Sequence, residues 1–239
     1  MKEYFKNSAV TLYCGDCFEI MNNLNLKVNF ILTDIPYVIS KKNNFNAMGR
    51  NGIDFGNWDE KFDLSQLSIL PKLLIDNGSI IIFHSFEQYP DLKKIFENNG
   101  LECKDRIIWH KTNPMPRNRD RRYISNCELG SWYVKEKSKW IFNRQDEKYE
   151  SMIMSFPSES GGRLKRYHPT QKNLKMFEKI IKIHSNENDT ILDPFSGSGT
   201  TGLACMNLNR RCILIEKEEK YCEIIANRLN NHIVQGELL

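Results

Sequence analysis

The stretch Thr190–Thr201, TILDPFSGSGTT, constrains the fold more than any other: an apolar run ends in an acid and passes straight into glycines. That order reads as a buried strand, a tight turn and the first turn of a helix, with glycines that let a ligand approach the backbone. Glycine spacing alone is equally compatible with a plain strand-to-helix connection. Asp193 at the strand end, and Glu216 after the next apolar run Cys212–Ile215, sharpen it. An acid about 20 residues beyond such a turn grips ribose hydroxyls in a Rossmann-type unit. The spacing therefore points to a nucleoside-containing cofactor on an α/β sheet.

A second strand end carries Thr33–Tyr37, TDIPY, after the apolar run Val28–Leu32. Asp-x-Pro-Tyr at that place, together with DPFSGSGTT, resembles the amino-group DNA methyltransferases, and the resemblance extends from Tyr13 to about Leu229. It implies transfer of a methyl group from S-adenosylmethionine to an exocyclic nitrogen of adenine or cytosine. The tetrad precedes the cofactor loop, which is the circularly permuted, β-type order found in restriction-modification systems. The fold implied is α/β, a single Rossmann-like methyltransferase domain with a mostly parallel seven-stranded sheet and helices on both faces. Within it, residues 10–111 would form a catalytic half, 112–167 a small basic target-recognition region and 168–232 a cofactor-binding half.

The tetrad residues suit the chemistry. An exocyclic amine is a poor nucleophile because its lone pair is delocalised into the ring, so acceptors are needed to localise it. The Asp34 carboxylate can take one amino hydrogen and the Ile35 carbonyl the other, while Tyr37 can stack on a base extruded from the duplex. No covalent enzyme intermediate is implied, and no metal, because the sulfonium already makes the methyl group electrophilic and the protein chiefly supplies alignment. Standing alone, Asp-Ile-Pro-Tyr would be an ordinary turn set by its proline. The family's usual tetrad is Asp-Pro-Pro-Tyr, and Ile35 departs from it. Pro36 still drives its predecessor into the extended region, so the carbonyl of residue 35 is expected to keep its aim.

Asp in the first position resembles the adenine-N6 group more than the cytosine-N4 group. The expected activity is N6-adenine methylation of duplex DNA at a short specific sequence, with N4-cytosine methylation as the nearest alternative. Methylation of RNA or of a protein amide is more distant. A DNA- and cofactor-binding relic that lost catalysis through Ile35 is the non-enzymatic alternative.

The same resemblance assigns the cofactor pocket. Asp16 and Cys17, after the short strand Val10–Tyr13, would lie by the adenine, although Asp16 also suits a helix N-cap. His168 and Thr170 of the segment HPTQK would handle the methionine end, with Gln171 and Lys172 beside them. Asp34, Asp193, Phe195, Gly197, Ser198, Gly199 and Thr200 would complete the pocket, and Glu216 would hold the ribose.

Net charge is +4, but its distribution is uneven. Residues 104–172 hold 16 Lys and Arg against 8 Asp and Glu, whereas the remainder holds 18 against 22. Lys111, Arg117, Arg119, Arg121 and Arg122, then Arg163, Lys165 and Arg166, are the candidate phosphate contacts on double-stranded DNA. A charge run is usually only a solvated face, but its position between the tetrad and the cofactor motif favours DNA contact here, and phosphate contacts position without specifying. The resemblance, and not any feature of the sequence, makes a homodimer and a cognate restriction endonuclease or companion methyltransferase candidate partners.

The seven cysteines are scattered, mostly in apolar runs, and read as reduced thiols. Cys14 and Cys17 lack the second Cys or His pair of a zinc site. No apolar segment approaches the ~20 residues that span a bilayer, and MKEYFKNSAV lacks a signal-peptide core, so a cytoplasmic enzyme is expected.

Further elements follow from periodicity. Helices are expected over Phe62–Ile75, Tyr89–Asn98, from the HPTQK segment to Ile183, and over Tyr221–His232; strands over Gly78–Ser85, Cys103–Trp109 and Glu128–Val134. His84 reads as structural. Trp109, beside Lys111, reads as core or rim packing, with contact to the extruded base as the other reading. The polar stretch Val38–Asp59 is a candidate lid over that base. From Lys135 to Arg166 the periodicity fades.

Overall fold

The computed structural model describes residues 2–25, 27–37, 62–114, 120–121, 123–159 and 171–236. Val28–Asp34 (β3) and Thr190–Asp193 (β8) pair in parallel at the middle of one sheet, Phe30 opposite Ile191 and Ile31 opposite Leu192. On one side follow Arg211–Glu216 (β9), Val10–Cys14 (β2) and Glu3–Lys6 (β1). On the other lie Leu74–His84 (β4), Cys127–Lys135 (β6), Leu101–Lys111 (β5) and Ile153–Phe156 (β7). The pairings β2–β9, β9–β8, β8–β3, β3–β4 and β5–β7 are parallel, while β6 runs antiparallel to both its neighbours and β1 antiparallel to β2.

Among the described residues the sheet thus has nine strands where seven are expected. The two additional ones are short edges, β1 and β7. β1 is half polar and largely exposed, and β7 is only four residues long, so neither produces the apolar signal that marks an inner strand.

Apolar residues on both faces explain why the central strands are interior. Phe30, Leu32, Ile81 and Phe83 face one core, packed by Leu174–His184 (α4), Thr200–Asn207 (α5) and Glu219–Gly236 (α6). Ile31, Ile80 and Ile82 face the other, covered by Cys17–Asn23 (α1) and Tyr89–Glu97 (α3). Helices therefore sit on both faces, as expected. Among the described residues no helix is long and apolar enough to cross a membrane.

Two helix assignments differ from expectation. Phe62–Ile75 is not one helix: Asp63 caps a 3-10 segment, Leu64–Ile69, then one α turn follows, Leu70–Leu73 (α2), and Leu74 already belongs to β4. Pro71 in the first turn of α2 has no N–H to continue the preceding ladder. The helix after HPTQK begins only at Leu174, because Asn173 adopts an extended conformation and accepts the Met176 N–H at 3.0 Å. Gln171 and Lys172 therefore lie on buried chain ahead of the helix.

From the central pair the chain leaves in opposite directions, β8 through α5 to β9 and β3 toward β4. Such a reversal opens a crevice at the carboxyl ends of the two strands, where open α/β sheets bind ligands. Asp34, Asp193, His84, Glu216 and Cys14 each end a strand along that edge.

Asn173→Ala removes the α4 cap and the side-chain bond to the Pro157 carbonyl, 3.0 Å away. Stability is expected to fall by about 1–2 kcal/mol, read as a lower urea midpoint with an unchanged slope. An unaltered midpoint would contradict this account of where α4 begins.

Candidate active site

The turn after β8 is built by its own acid. Asp193 is buried; its Oδ1 accepts from the Thr33 hydroxyl at 2.8 Å and the Phe195 N–H at 3.2 Å, and its Oδ2 accepts from the Thr201 hydroxyl. Burial pushes the carboxyl up to about 6, against the pull of these hydrogen bonds. Gly199 sits at φ +74°, and a Cβ there would come within 2.8 Å of Ile225 on α6. Gly202, one turn into α5, would bring a Cβ within 2.7 Å of Leu214. These two glycines let α5 start abruptly and lie close on the sheet. Arg228 of α6 donates to the Ser198 carbonyl at 2.9 Å and to the Thr200 hydroxyl at 3.3 Å, fixing the loop from behind.

Glu216 at the end of β9 accepts the Gly197 N–H and the Glu218 N–H, each at 2.9 Å. One oxygen serves each donor, so lone pairs remain on both. Burial pushes this carboxyl up to about 7. Phe195 packs edge-on against Phe62 (5.4 Å between ring centroids) and Phe18 (6.2 Å), forming an apolar wall beside the turn. Asp16 caps α1 through the Phe18 and Glu19 N–H groups, and Cys17 is buried just after it. A glycine turn, an apolar wall and an acid with spare acceptor capacity fit an adenosine-containing cofactor.

The tetrad leaves β3 in extended form. The Ile35 N–H donates to the Phe83 carbonyl at 3.2 Å, continuing the ladder in which Asp34 pairs with Phe83, and the Ile35 side chain is buried. Gln88 then bridges the ends of the two strands: its carbonyl accepts the Ser85 N–H at 2.9 Å and its amide donates to the Pro36 carbonyl at 2.7 Å. Residue 35 is held from both sides.

Asp34 divides its carboxylate. Oδ2 accepts from Lys172 Nζ at 2.6 Å, whereas Oδ1 is buried and has no hydrogen-bond partner among the described residues. Lys172, 5% exposed, also donates to Glu128 Oε2 at 2.7 Å, and Glu128 Oε1 meets Lys111 Nζ at 2.5 Å. The Tyr37 hydroxyl lies 3.4 Å from both Lys172 Nζ and Glu128 Oε2. The Lys172 ammonium is 5.5 Å from the ring centroids of Tyr37 and Phe83 and 5.9 Å from that of Trp109.

Charges alternate along this ladder. Burial alone would raise the Glu128 carboxyl, but Lys172 and Lys111 overcome it and hold the group at about 2. Burial opposes the Lys172 ammonium, and Asp34 and Glu128 more than offset it, so its affinity for the proton rises. The Asp34 carboxyl is pushed upward by burial, with Lys172 opposing and Glu128 adding to the rise. The rise at Asp34 and the rise at Lys172 favour opposite charge states for the pair. Two positive and two negative groups alternating over contacts of 2.5–2.7 Å decide for the ionic form.

The structure brings together Asp34, Ile35, Pro36 and Tyr37, and sets Asp193, Phe195, Gly197, Ser198, Gly199, Thr200 and Glu216 along the same strand ends. Lys111 stands in the charge ladder, 5.1 Å from the Trp109 ring centroid, and Arg121 is exposed. His168, Thr170, Arg117, Arg119, Arg122, Arg163, Lys165, Arg166 and the candidate lid over 38–59 lie outside the described residues. Trp109 is core, its indole donating to the Phe156 carbonyl at 2.9 Å. His84 is buried between the Ser85 carbonyl and the Ser131 hydroxyl, in keeping with its structural reading. Sequence reasoning missed Glu128 and Gln88. Glu128 carried one faint signal, an acid opening an otherwise apolar strand.

A glycine turn after β8 beside the candidate tetrad at the end of β3, at the reversal of a mostly parallel sheet, gives a Rossmann-like α/β fold with the geometry of a nucleotide-cofactor site. Its family follows from comparison: the N6/N4 DNA methylase family profile matches residues 28–227, and the chain belongs to that family of S-adenosylmethionine-dependent methyltransferases. The chain is 42% identical to the protein in a crystal structure of an M1.HpyAVI–SAM complex, with a TM-score of 0.76 over 92% of this chain and 99% of that one. It is 30% identical to the Type II methyltransferase M2.LlaDCHI of Lactococcus lactis subsp. cremoris, over 98% of this chain and 94% of the relative. It is also 30% identical to the Type II methyltransferase M.HinfI of Haemophilus influenzae, over 96% and 70% respectively. The PvuII cytosine-N4-specific DNA methyltransferase, 19% identical, shares the fold with a TM-score of 0.75 over 95% of this chain and 88% of that one.

Ile35→Pro would restore the family's usual tetrad yet remove the N–H that bonds Phe83 and most of a buried side chain. A loss of roughly 1–3 kcal/mol in unfolding free energy is expected. Equal or greater stability in urea denaturation would show that the Ile35 N–H contributes nothing.

Proposed function

We propose that this chain transfers a methyl group from S-adenosylmethionine to the N6 amino group of an adenine flipped out of duplex DNA. The observation that carries the reading is Asp34, with Oδ2 fixed by Lys172 and Oδ1 buried without a donor among the described residues, next to the glycine turn. An exocyclic amine brought there donates one hydrogen to Oδ1 and the other to the Ile35 carbonyl, which localises its lone pair. The bound cofactor supplies a methyl group made electrophilic by its sulfonium. The chain's part is to hold the amine in line with that methyl group and to accept the proton the amine gives up, for which Asp34 is the nearest base.

Glu216 would hold the ribose hydroxyls, with Asp16, Cys17 and Phe195 around the adenine and His168 and Thr170 toward the methionine end. Tyr37 would stack on the flipped base. The basic stretch 112–167, with Arg117, Arg119, Arg121, Arg122, Arg163, Lys165 and Arg166, would follow the DNA backbone and give recognition of a short sequence, with Lys111 at its edge. Type II relatives support a restriction-modification setting in the cytoplasm, with a companion endonuclease. Cytosine-N4 transfer is the second reading, because the acceptor arrangement at Asp34 also suits the cytosine amine.

Incubation with unmethylated DNA and methyl-labelled cofactor, followed by digestion to nucleosides, is expected to yield labelled N6-methyladenine. Asp34→Ala is expected to reduce transfer by at least about a thousandfold while the fold is retained. Labelled N4-methylcytosine would move the reading to the other base, and full activity of the Ala variant would remove the mechanism.

The Glu216 carboxyl, at about 7, gives a pH dependence to cofactor binding. Ionised Glu216 accepts ribose hydroxyl donors, so affinity is expected to rise with pH, by roughly fivefold to tenfold between pH 6 and pH 8. Calorimetric titration should show this slope in the parent protein and lose it in Glu216→Gln. A parent Kd flat across that range would remove Glu216 from the ribose.

A further inference from the structure

The tetrad accounts for where the amine is held but not for how a carboxylate in a buried site stays available to it. Asp34 is faced by Lys172 from the segment before α4, by Glu128 at the start of β6, by Tyr37 from its own loop and by Asp193 at the end of β8. Only one of these is a cation, and it is divided between two carboxylates, at 2.6 Å from Asp34 and 2.7 Å from Glu128. Glu128 is in turn divided between Lys172 and Lys111, which ends the ladder opposite Asp34.

We propose that Lys172 is a positioning residue that holds Asp34 in its ionised form with Oδ1 turned toward the target amine, and that Glu128 tunes this hold by competing for the same ammonium. The inference rests on the methyl-transfer reading for its purpose, though the charge coupling itself does not. Oδ2 carries the ion pair, so rotation of the carboxylate about χ2 is blocked and Oδ1 keeps one direction. Lys172 does not move aside for substrate, because its bond uses the oxygen that the amine does not need. Glu128 prevents the ammonium from pairing with Asp34 alone, which leaves Asp34 basic enough to take the proton released when the amine is methylated. Lys111 neutralises Glu128, so the ladder as a whole carries no net charge. Removing the positive partner and removing the competing negative one therefore act on Asp34 in opposite senses.

The test is a direct titration of Asp34 in the full chain carrying aspartate labelled with carbon-13 at Cγ, its resonance identified by its loss in Asp34→Asn. In Lys172→Met the midpoint is expected to rise by at least about one pH unit, a tenfold gain in proton affinity. Lys172→Arg should remain near the parent value, and in Glu128→Gln the midpoint should fall. The acid limb of kcat against pH on DNA should move the same way in each variant, a split that a merely structural role of Lys172 would not produce. An unchanged or lower midpoint in Lys172→Met, or movement of Lys172→Met and Glu128→Gln in the same direction, would overturn the proposal. Should circular dichroism show Lys172→Met unfolded, Glu128→Gln decides alone, and an unchanged or raised midpoint there overturns it. Absence of methyl transfer by the parent enzyme would remove the DNA methylation reading, while the titration would still decide the ladder.

Discussion

One buried ammonium ties this active site together. Lys172 meets Asp34 and Glu128, which are separated from it by 138 and 44 residues along the chain. An ammonium removed from water is costly unless paired and hydrogen-bonded, and here two carboxylates and three aromatic faces surround it. The pairing works only if the segment before α4, the end of β3 and the start of β6 converge. Each of those positions is set elsewhere: by the Asn173 cap, by the β3–β4 register and by the antiparallel course of β6.

The last of these explains why an otherwise mostly parallel sheet contains a reversed strand beside its active site. A parallel strand can bring only its final residues to the carboxyl edge of its neighbours. Because β6 pairs antiparallel to β4, with Leu129 opposite His84, its first residues lie at that edge, and Glu128 comes with them. Lys111, at the end of β5, reaches the same place because β5 pairs antiparallel to β6, Trp109 opposite Glu128. Alternating charges along one edge thus follow from strand direction.

The sequence was informative where function is written in short contiguous runs. TILDPFSGSGTT and TDIPY placed β8, its glycine turn and the end of β3, because buried strands and tight turns restrict residue choice locally. The helix boundaries at Leu70 and Leu174 were less legible, since a Pro or Asn at those points suits several local conformations. The edge strands β1 and β7 are too short, at four residues each, to stand out in the sequence. Glu128 and Lys172 become partners only through strand order, which no spacing along the chain encodes. Lys172 was noticed as a neighbour of HPTQK, but its inward direction depends on chain that stays extended to Asn173. Asp16, read both as a cap and as an adenine contact, uses its Oδ1 as the cap, leaving its other oxygen for the second role.

Ile35 shows how a departure from a motif can be absorbed. A proline at this position would narrow the backbone by its ring; the isoleucine is restrained by its surroundings instead. Its N–H extends the β3–β4 ladder by one bond, its side chain fills the core beneath, and the next carbonyl, that of Pro36, is fixed by Gln88. The carbonyl of residue 35 lies between those two anchors, so its direction is set by tertiary structure where a proline would set it by covalent geometry. Acceptor placement within a fraction of an ångström is what alignment of the amine demands. The two solutions differ in the folded state by the ladder bond and the side chain, and in the unfolded one, where isoleucine retains more freedom and so loses more on folding. That extra freedom weighs against stability, and the ladder bond and the buried side chain offset it.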